Sequence, residues 1–138
     1  MNAWIGQATL VLSDFRAKVD RTDLRGLAGF ASFPNGSCQW SSYVVAKMLR
    51  DSGQDGWLGV SGTGGPRETR EETHFWLQRD GCTLDPTADQ FADRFSIPFV
   101  RIGPHPMAKI YGYIQVVSVD DIRERPAIWK AYERIVSA

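Results

Sequence analysis

Residues 73–85 read Thr-His-Phe-Trp-Leu-Gln-Arg-Asp-Gly-Cys-Thr-Leu-Asp. Asp80-Gly81 is the two-residue signal for a type I′ hairpin, and the runs on either side predict two antiparallel strands, Thr73 to Arg79 and Cys82 to Asp85. The turn fixes the register. Arg79 falls opposite Cys82, Gln78 opposite Thr83, Leu77 opposite Leu84, Trp76 opposite Asp85 and His74 opposite Thr87. Opposed residues share a face of the ribbon. His74, Trp76, Gln78, Thr83 and Asp85 therefore project to one side, and Phe75, Leu77, Cys82 and Leu84 to the other. His74 and Asp85 become diagonal neighbours with backbones about 7 Å apart, a gap that an imidazole and a carboxylate can close. That is the arrangement of a base and the group that orients it.

Upstream of the hairpin the periodicity turns helical. Trp4, Ile5, Ala8, Val11, Leu12 and Phe15 recur at three- and four-residue steps, predicting a helix over about 3–18. Residues 20–36 carry several glycines and end in Phe33-Pro34-Asn35-Gly36, so a loop precedes Ser37. Ser37 is a natural N-cap; Trp40, Val44, Val45, Met48 and Leu49 follow on one face, and Gly53 supplies a stop. A second helix is expected over about 38–52. From Gly53 to Gly65 there are six glycines, so only Trp57 to Val60 reads as a short strand and the remainder as a mobile loop, placed to act as a lid. Further strands are expected at Ile97 to Ile102 and Ile110 to Val119. Ile122, Trp129, Tyr132, Ile135 and Val136 mark a C-terminal helix restarting at Pro126. The order is α+β: two helices, a small mostly antiparallel sheet, and a helix.

The 138 residues carry 16 Lys+Arg against 16 Asp+Glu and fit a single domain, 1–138. Hydrophobic residues make up 43%, aromatic ones 12%, enough for a core without disulfide staples. The charge balance removes the electrostatic drive of a nucleic-acid or anionic-membrane binder. With no long apolar run and no basic-flanked leader, the expectation is a cytoplasmic protein with no membrane partner. Cys38 and Cys82 are too few for a disulfide framework and form no C-x-x-C pair.

Cys38 sits in the first turn of a helix, where free backbone N–H groups and the helix dipole favour a thiolate and can also hold a developing oxyanion. It is the expected nucleophile, with His74 as base and Asp85 as orienter. Cys82, on the apolar face, is expected to be inert core. Asp89 is the lesser alternative for the orienter, because parity favours Asp85. His105, between Pro104 and Pro106, reads as part of a surface turn. A zinc site built from the same residue types lacks any C-x-x-C or H-x-x-x-H spacing, so neither metal nor cofactor is expected. Gly62 to Pro66 lacks the ending of a phosphate loop, and the charged run 67–72 reads as a solvated face. Trp57 and Trp76 are expected as exposed aromatics, which also fits the alternative of a non-catalytic binding or immunity-like module.

Phe33-Pro34-Asn35-Gly36-Ser37-Cys38 opening a helix, His74-Phe75-Trp76-Leu77 on a strand, and Asp85-Pro86-Thr87-Ala88-Asp89-Gln90-Phe91 after the next strand resemble small bacterial proteins of the papain-like and transglutaminase-like thiol-enzyme superfamily. The chain order Cys, His, Asp matches it, and the likeness covers about 33–91. The resemblance implies a nucleophile helix packed on an antiparallel sheet that carries base and acid. It also implies attack on an amide or ester carbonyl through a thioester, as in peptidases, amidases, deamidases and transglutaminases, on a protein or peptide substrate. Several such relatives are toxin or effector domains, delivered to other cells, or act on cell-wall peptides. The papain-type Gln-Gly-x-Cys-Gly-x-Cys-Trp segment is absent, so the oxyanion-hole glutamine has no counterpart. The Cys38 N–H is one donor, and Asn35, Gln39 or Trp40 are candidates for the second, with Trp76 as a further substrate contact.

Overall fold

In a computed structural model of the chain, which describes residues 3–64, 73–92 and 96–138, the first helix, α1, spans Ala3–Asp20 and buries Ile5, Ala8, Leu12, Phe15 and Val19. The second, α2, runs Cys38–Asp51 and buries a broad stripe from Ser41 to Leu49. Ser37 occupies the N-cap position, but its side chain makes no capping bond; its hydroxyl donates instead to the Asn35 carbonyl at 3.4 Å. Five strands follow: β1 (Leu58–Thr63), β2 (His74–Arg79), β3 (Cys82–Leu84), β4 (Val100–Ile102) and β5 (Tyr113–Val117). The last helix, α3, covers Pro126–Val136, with proline in its first turn where a missing N–H costs nothing.

The strands form one sheet in the order β4-β3-β2-β1-β5, and every pairing is antiparallel. Asp80 and Gly81 both adopt positive φ, 46° and 77°, as a type I′ turn requires. Arg79 faces Cys82, Gln78 faces Thr83 and Leu77 faces Leu84, in the register that the turn dictates. The ladder stops at Leu84. Asp85 donates its backbone N–H to the Phe99 carbonyl on the β4 side at 2.8 Å, and the expected pairs Trp76–Asp85 and His74–Thr87 do not form.

The two faces of the sheet have different covers. Phe75, Leu77, Cys82 and Leu84 join Phe15, Val44, Leu49, Ile128 and Ile135 in the helical core. Trp76 and Val60 lie on the opposite face under Phe91, Met107 and Tyr111, from the irregular segments. Both Trp57 and Trp76 are therefore buried, correcting the expectation that they are exposed. Trp57 sits in the helical core and its indole N–H donates to Gln54 Oε1 at 3.1 Å.

The glycine-rich stretch is the main correction. Residues 58–63 are not a lid but a strand between β2 and β5, so the lid expectation fails over this segment; Pro66 and the charged run 67–72 lie outside the described residues. Its glycines make room for rings: a Cβ on Gly59 would lie 2.5 Å from the Phe75 ring, and one on Gly62 2.5 Å from the Tyr111 ring. Each of the two later strands is shorter than expected, because Ala108–Ile110 closes a 3-10 turn and residues 97–99 precede the ladder.

Gly59→Ala should destabilise the protein by about 1–3 kcal/mol, the usual cost of forcing extra volume into a packed site. Urea unfolding checks it; a midpoint equal to wild type would contradict the close ring packing.

Candidate active site

His74 opens β2 and Asp85 directly follows β3, so the hairpin turn sets their spacing and the strand parity sets their side. The diagonal gap does close: His74 Nε2 lies 2.6 Å from Asp85 Oδ2, with both side chains buried. Asp85 accepts two more hydrogen bonds. The Thr87 backbone N–H donates to Oδ1 at 3.1 Å, and His105 Nε2 lies 2.7 Å from Oδ2.

His105 is thus no surface-turn residue. It is 4% exposed, and its ring stacks on Trp76 with centroids 4.2 Å apart. Its flanking prolines concealed this role, which arises only because the 103–107 segment folds back over the far face of the sheet. The one available signal was that a second histidine sits ahead of apolar residues, Met107 and Ile110, that cover that face.

The tautomers follow from the partners. The Met107 N–H donates to His105 Nδ1 at 3.1 Å, so the His105 proton sits on Nε2 and points at Asp85. Asp85 thereby meets three N–H donors. Burial alone drives its carboxyl upward, but the charge of His74 and the bonds from His105 and His74 outweigh it and hold Asp85 down at about 2. For His74, burial opposes the charged form. The Asp85 charge and hydrogen bond, with a smaller contribution from Cys38, overcome it and hold His74 up at about 9.

Cys38 is the first residue of α2 and is half-buried. With His74 Nε2 committed to Asp85, Nδ1 is the nitrogen left; it is buried and has no hydrogen-bond partner among the described residues. Cys38 lies near enough to this imidazole to add to the rise in its pKa. The fold therefore bonds His74 to Asp85 and sets Cys38, at the start of α2, near the same imidazole.

The other expected contacts are placed differently. Gln39 is exposed, and Trp40 packs over Gly29, where a Cβ would lie 2.4 Å from the indole. Asn35 is exposed beside the helix start. Trp76, buried beneath His105, cannot meet a substrate. The first helical bond runs from the Ser41 N–H to the Ser37 carbonyl, so the backbone N–H groups of Cys38, Gln39 and Trp40 precede the ladder. Asp89 is not the orienter: it forms a two-pronged ion pair with Arg16 at 2.7 and 2.8 Å, while Arg16 also donates to the Pro86 carbonyl. That pair ties the turn after Asp85 to α1. Cys82 is buried in the helical core as expected, and burial pushes its thiol up.

His74, Asp85 and His105 present ligand-type atoms within 4.8 Å of one another. One tetrahedral zinc at ordinary bond lengths separates its ligand atoms by about 3.3 Å. The observed 2.6 and 2.7 Å separations are those of direct hydrogen bonds between the rings and the carboxylate. A groove of about 870 Å³ between α1 and β4 is lined by Ile5, Leu12, Phe99 and Ile102, and none of the site residues borders it.

The chain matches no protein-family model, no curated protein and no solved structure. Among the described residues, no helix is long and apolar enough to cross a membrane.

Replacing Asp85 with Asn leaves both imidazoles without their anion and should cost about 3–5 kcal/mol. The cost depends on pH. His74 is raised on folding, so its stabilisation is full below 6.5 and drains away as pH rises through about 9. Asp85 is lowered, so its share is full above 3.8 and lost as pH falls through about 2. The stability gap between wild type and Asp85→Asn should be widest between pH 3.8 and 6.5 and narrow toward pH 9. Urea titrations across pH test this; a gap that is flat with pH contradicts the assignment.

Proposed function

We propose that the protein is a cysteine-dependent hydrolase or acyl transferase acting on amide carbonyls of a protein or peptide substrate, on a papain-like or transglutaminase-like core. The single observation that carries the reading is the His74 imidazole, bonded at one nitrogen to a buried carboxylate and left with its other nitrogen for a thiol at a helix start. The order of layers, a nucleophile helix packed on an antiparallel sheet, is what the resemblance of the sequence motifs implies.

In this mechanism Nδ1 of His74 takes the Cys38 proton while Nε2–H stays on Asp85. The thiolate attacks the carbonyl carbon, and the oxyanion is held by backbone N–H groups of the first turn of α2, Cys38 foremost. His74 returns the proton to the departing amine, leaving a thioester on Sγ. Water, or a second amine, then gives its proton to His74 and attacks the thioester, and the thiol is restored as the acid or new amide leaves. Asp85 holds the ring in the tautomer that both steps require.

Iodoacetamide should alkylate Cys38 about tenfold or more faster than buried Cys82, and His74→Ala should abolish the advantage. Peptide mass spectrometry locates the adduct. Slow labelling of both thiols, insensitive to His74, contradicts the reading and favours a non-catalytic binding module. Cys38→Ala should keep the fold and lose all turnover, whereas Cys82→Ala should lose packing stability and no chemistry.

A further inference from the structure

We propose that His105 is a positioning residue of this site: acting through Asp85, it keeps the Nε2 proton on His74 and off the carboxylate. The proposal deepens the thiol-enzyme reading in its consequence, but its cause is hydrogen-bond geometry that stands independently of that chemistry.

A carboxylate oxygen has two in-plane lone pairs. Both lone pairs of Asp85 Oδ2 are engaged, one by His74 Nε2 at 2.6 Å and the other by His105 Nε2 at 2.7 Å. The His105 bond has a fixed sense. With Met107 N–H donating into Nδ1, the ring proton can only be on Nε2, so His105 donates to Asp85 and cannot accept from it. Stacking on Trp76, with planes 23° apart, fixes the ring in that orientation.

This controls where a proton can rest. The N–H that His105 donates into the second lone pair stabilises the carboxylate charge and makes Oδ2 a weaker acceptor for the Nε2 proton of His74. The transfer is disfavoured, and His74 keeps its Nε2 proton throughout the thiol's cycle. Remove His105 and the balance changes: a buried carboxylate with one imidazole partner lowers its desolvation cost by accepting the proton and becoming a neutral pair. His74 would then approach the thiol as a weaker proton acceptor. The groups facing His74 are few. Cys38 approaches from α2 and Asp85 from the end of β3, with His105 behind Asp85; Phe91 and Trp76, which flank the ring, carry no charge. No other titratable side chain among the described residues is placed to take over the role of His105.

Two replacements separate positioning from packing. His105→Phe keeps an aromatic ring to stack on Trp76 and loses the N–H donor. His105→Gln loses the stack and keeps an amide N–H near the Nε2 position. Imidazole ¹⁵N NMR across pH, on the full chain, reads the His74 titration without any substrate. The proposal expects the His74 midpoint to fall by about one pH unit in His105→Phe, a tenfold loss in proton affinity, and to stay near wild type in His105→Gln. A midpoint unchanged in His105→Phe, or the reverse order of the two variants, overturns it. The wild-type spectrum decides the matter even if a variant fails to fold: His105 should appear as the Nε2–H tautomer, and an Nδ1–H signal overturns the proposal. Iodoacetamide labelling of the same samples separates the two failures. Loss of the Cys38 advantage in wild type defeats the thiol-enzyme reading and leaves the His74 titration standing, and an unshifted titration with the labelling advantage intact defeats only the role of His105.

Discussion

A carboxylate 1% exposed to solvent is the constraint on which the rest of the structure depends. Asp85 has left water, and an uncompensated buried charge is expensive enough that such groups are neutralised unless the protein supplies donors. Here three N–H groups from three segments converge on it: His74 from β2, Thr87 from its own turn, and His105 from the segment that crosses the far face. Each donor demands a backbone path. The hairpin delivers His74, the Pro86 turn delivers Thr87, and the packing of Met107 and Tyr111 over Trp76 delivers His105. The second hydrophobic layer therefore serves the site as well as the core, since it closes the low-dielectric compartment in which the His74–Asp85 bond is strong.

The helical layer serves the same site from the other side. Tyr43, Val44 and Leu49 seat α2 on the sheet together with Phe75 and Leu77, which fixes the start of the helix beside the opening of β2. Cys38 then lies near the imidazole, half-buried at the margin of the core cluster. The Arg16–Asp89 pair locks α1 to the turn after Asp85.

Much of this was legible in the sequence, for a local reason. Asp80-Gly81 specifies a two-residue turn, and a turn of known length determines every pairing near it; the meeting of His74 with Asp85 and the inert placing of Cys82 follow from parity alone. Cys38 was legible because Pro34-Asn35-Gly36 breaks the chain just before a strong helical pattern. What was hidden depends on distant parts of the chain. Gly59 and Gly62 read as loop residues, although they are strand positions where rings from Phe75 and Tyr111 need the space of a missing Cβ. Trp76 read as exposed because hairpin parity puts it off the helical face and cannot reveal that an irregular segment covers that side. His105 was obscured for the same reason: twenty residues separate it from Asp85, and no periodic pattern spans them.

The central claim is that Cys38 is a nucleophile served by His74 and Asp85. Its most direct test is intact-mass spectrometry of the protein after brief exposure to an activated acyl ester. The account predicts one acyl group per chain, held as a hydroxylamine-labile thioester on Cys38 and absent from the His74→Ala variant. No adduct, or acyl groups on lysines and on Cys82 in the same yield as on Cys38, would contradict it.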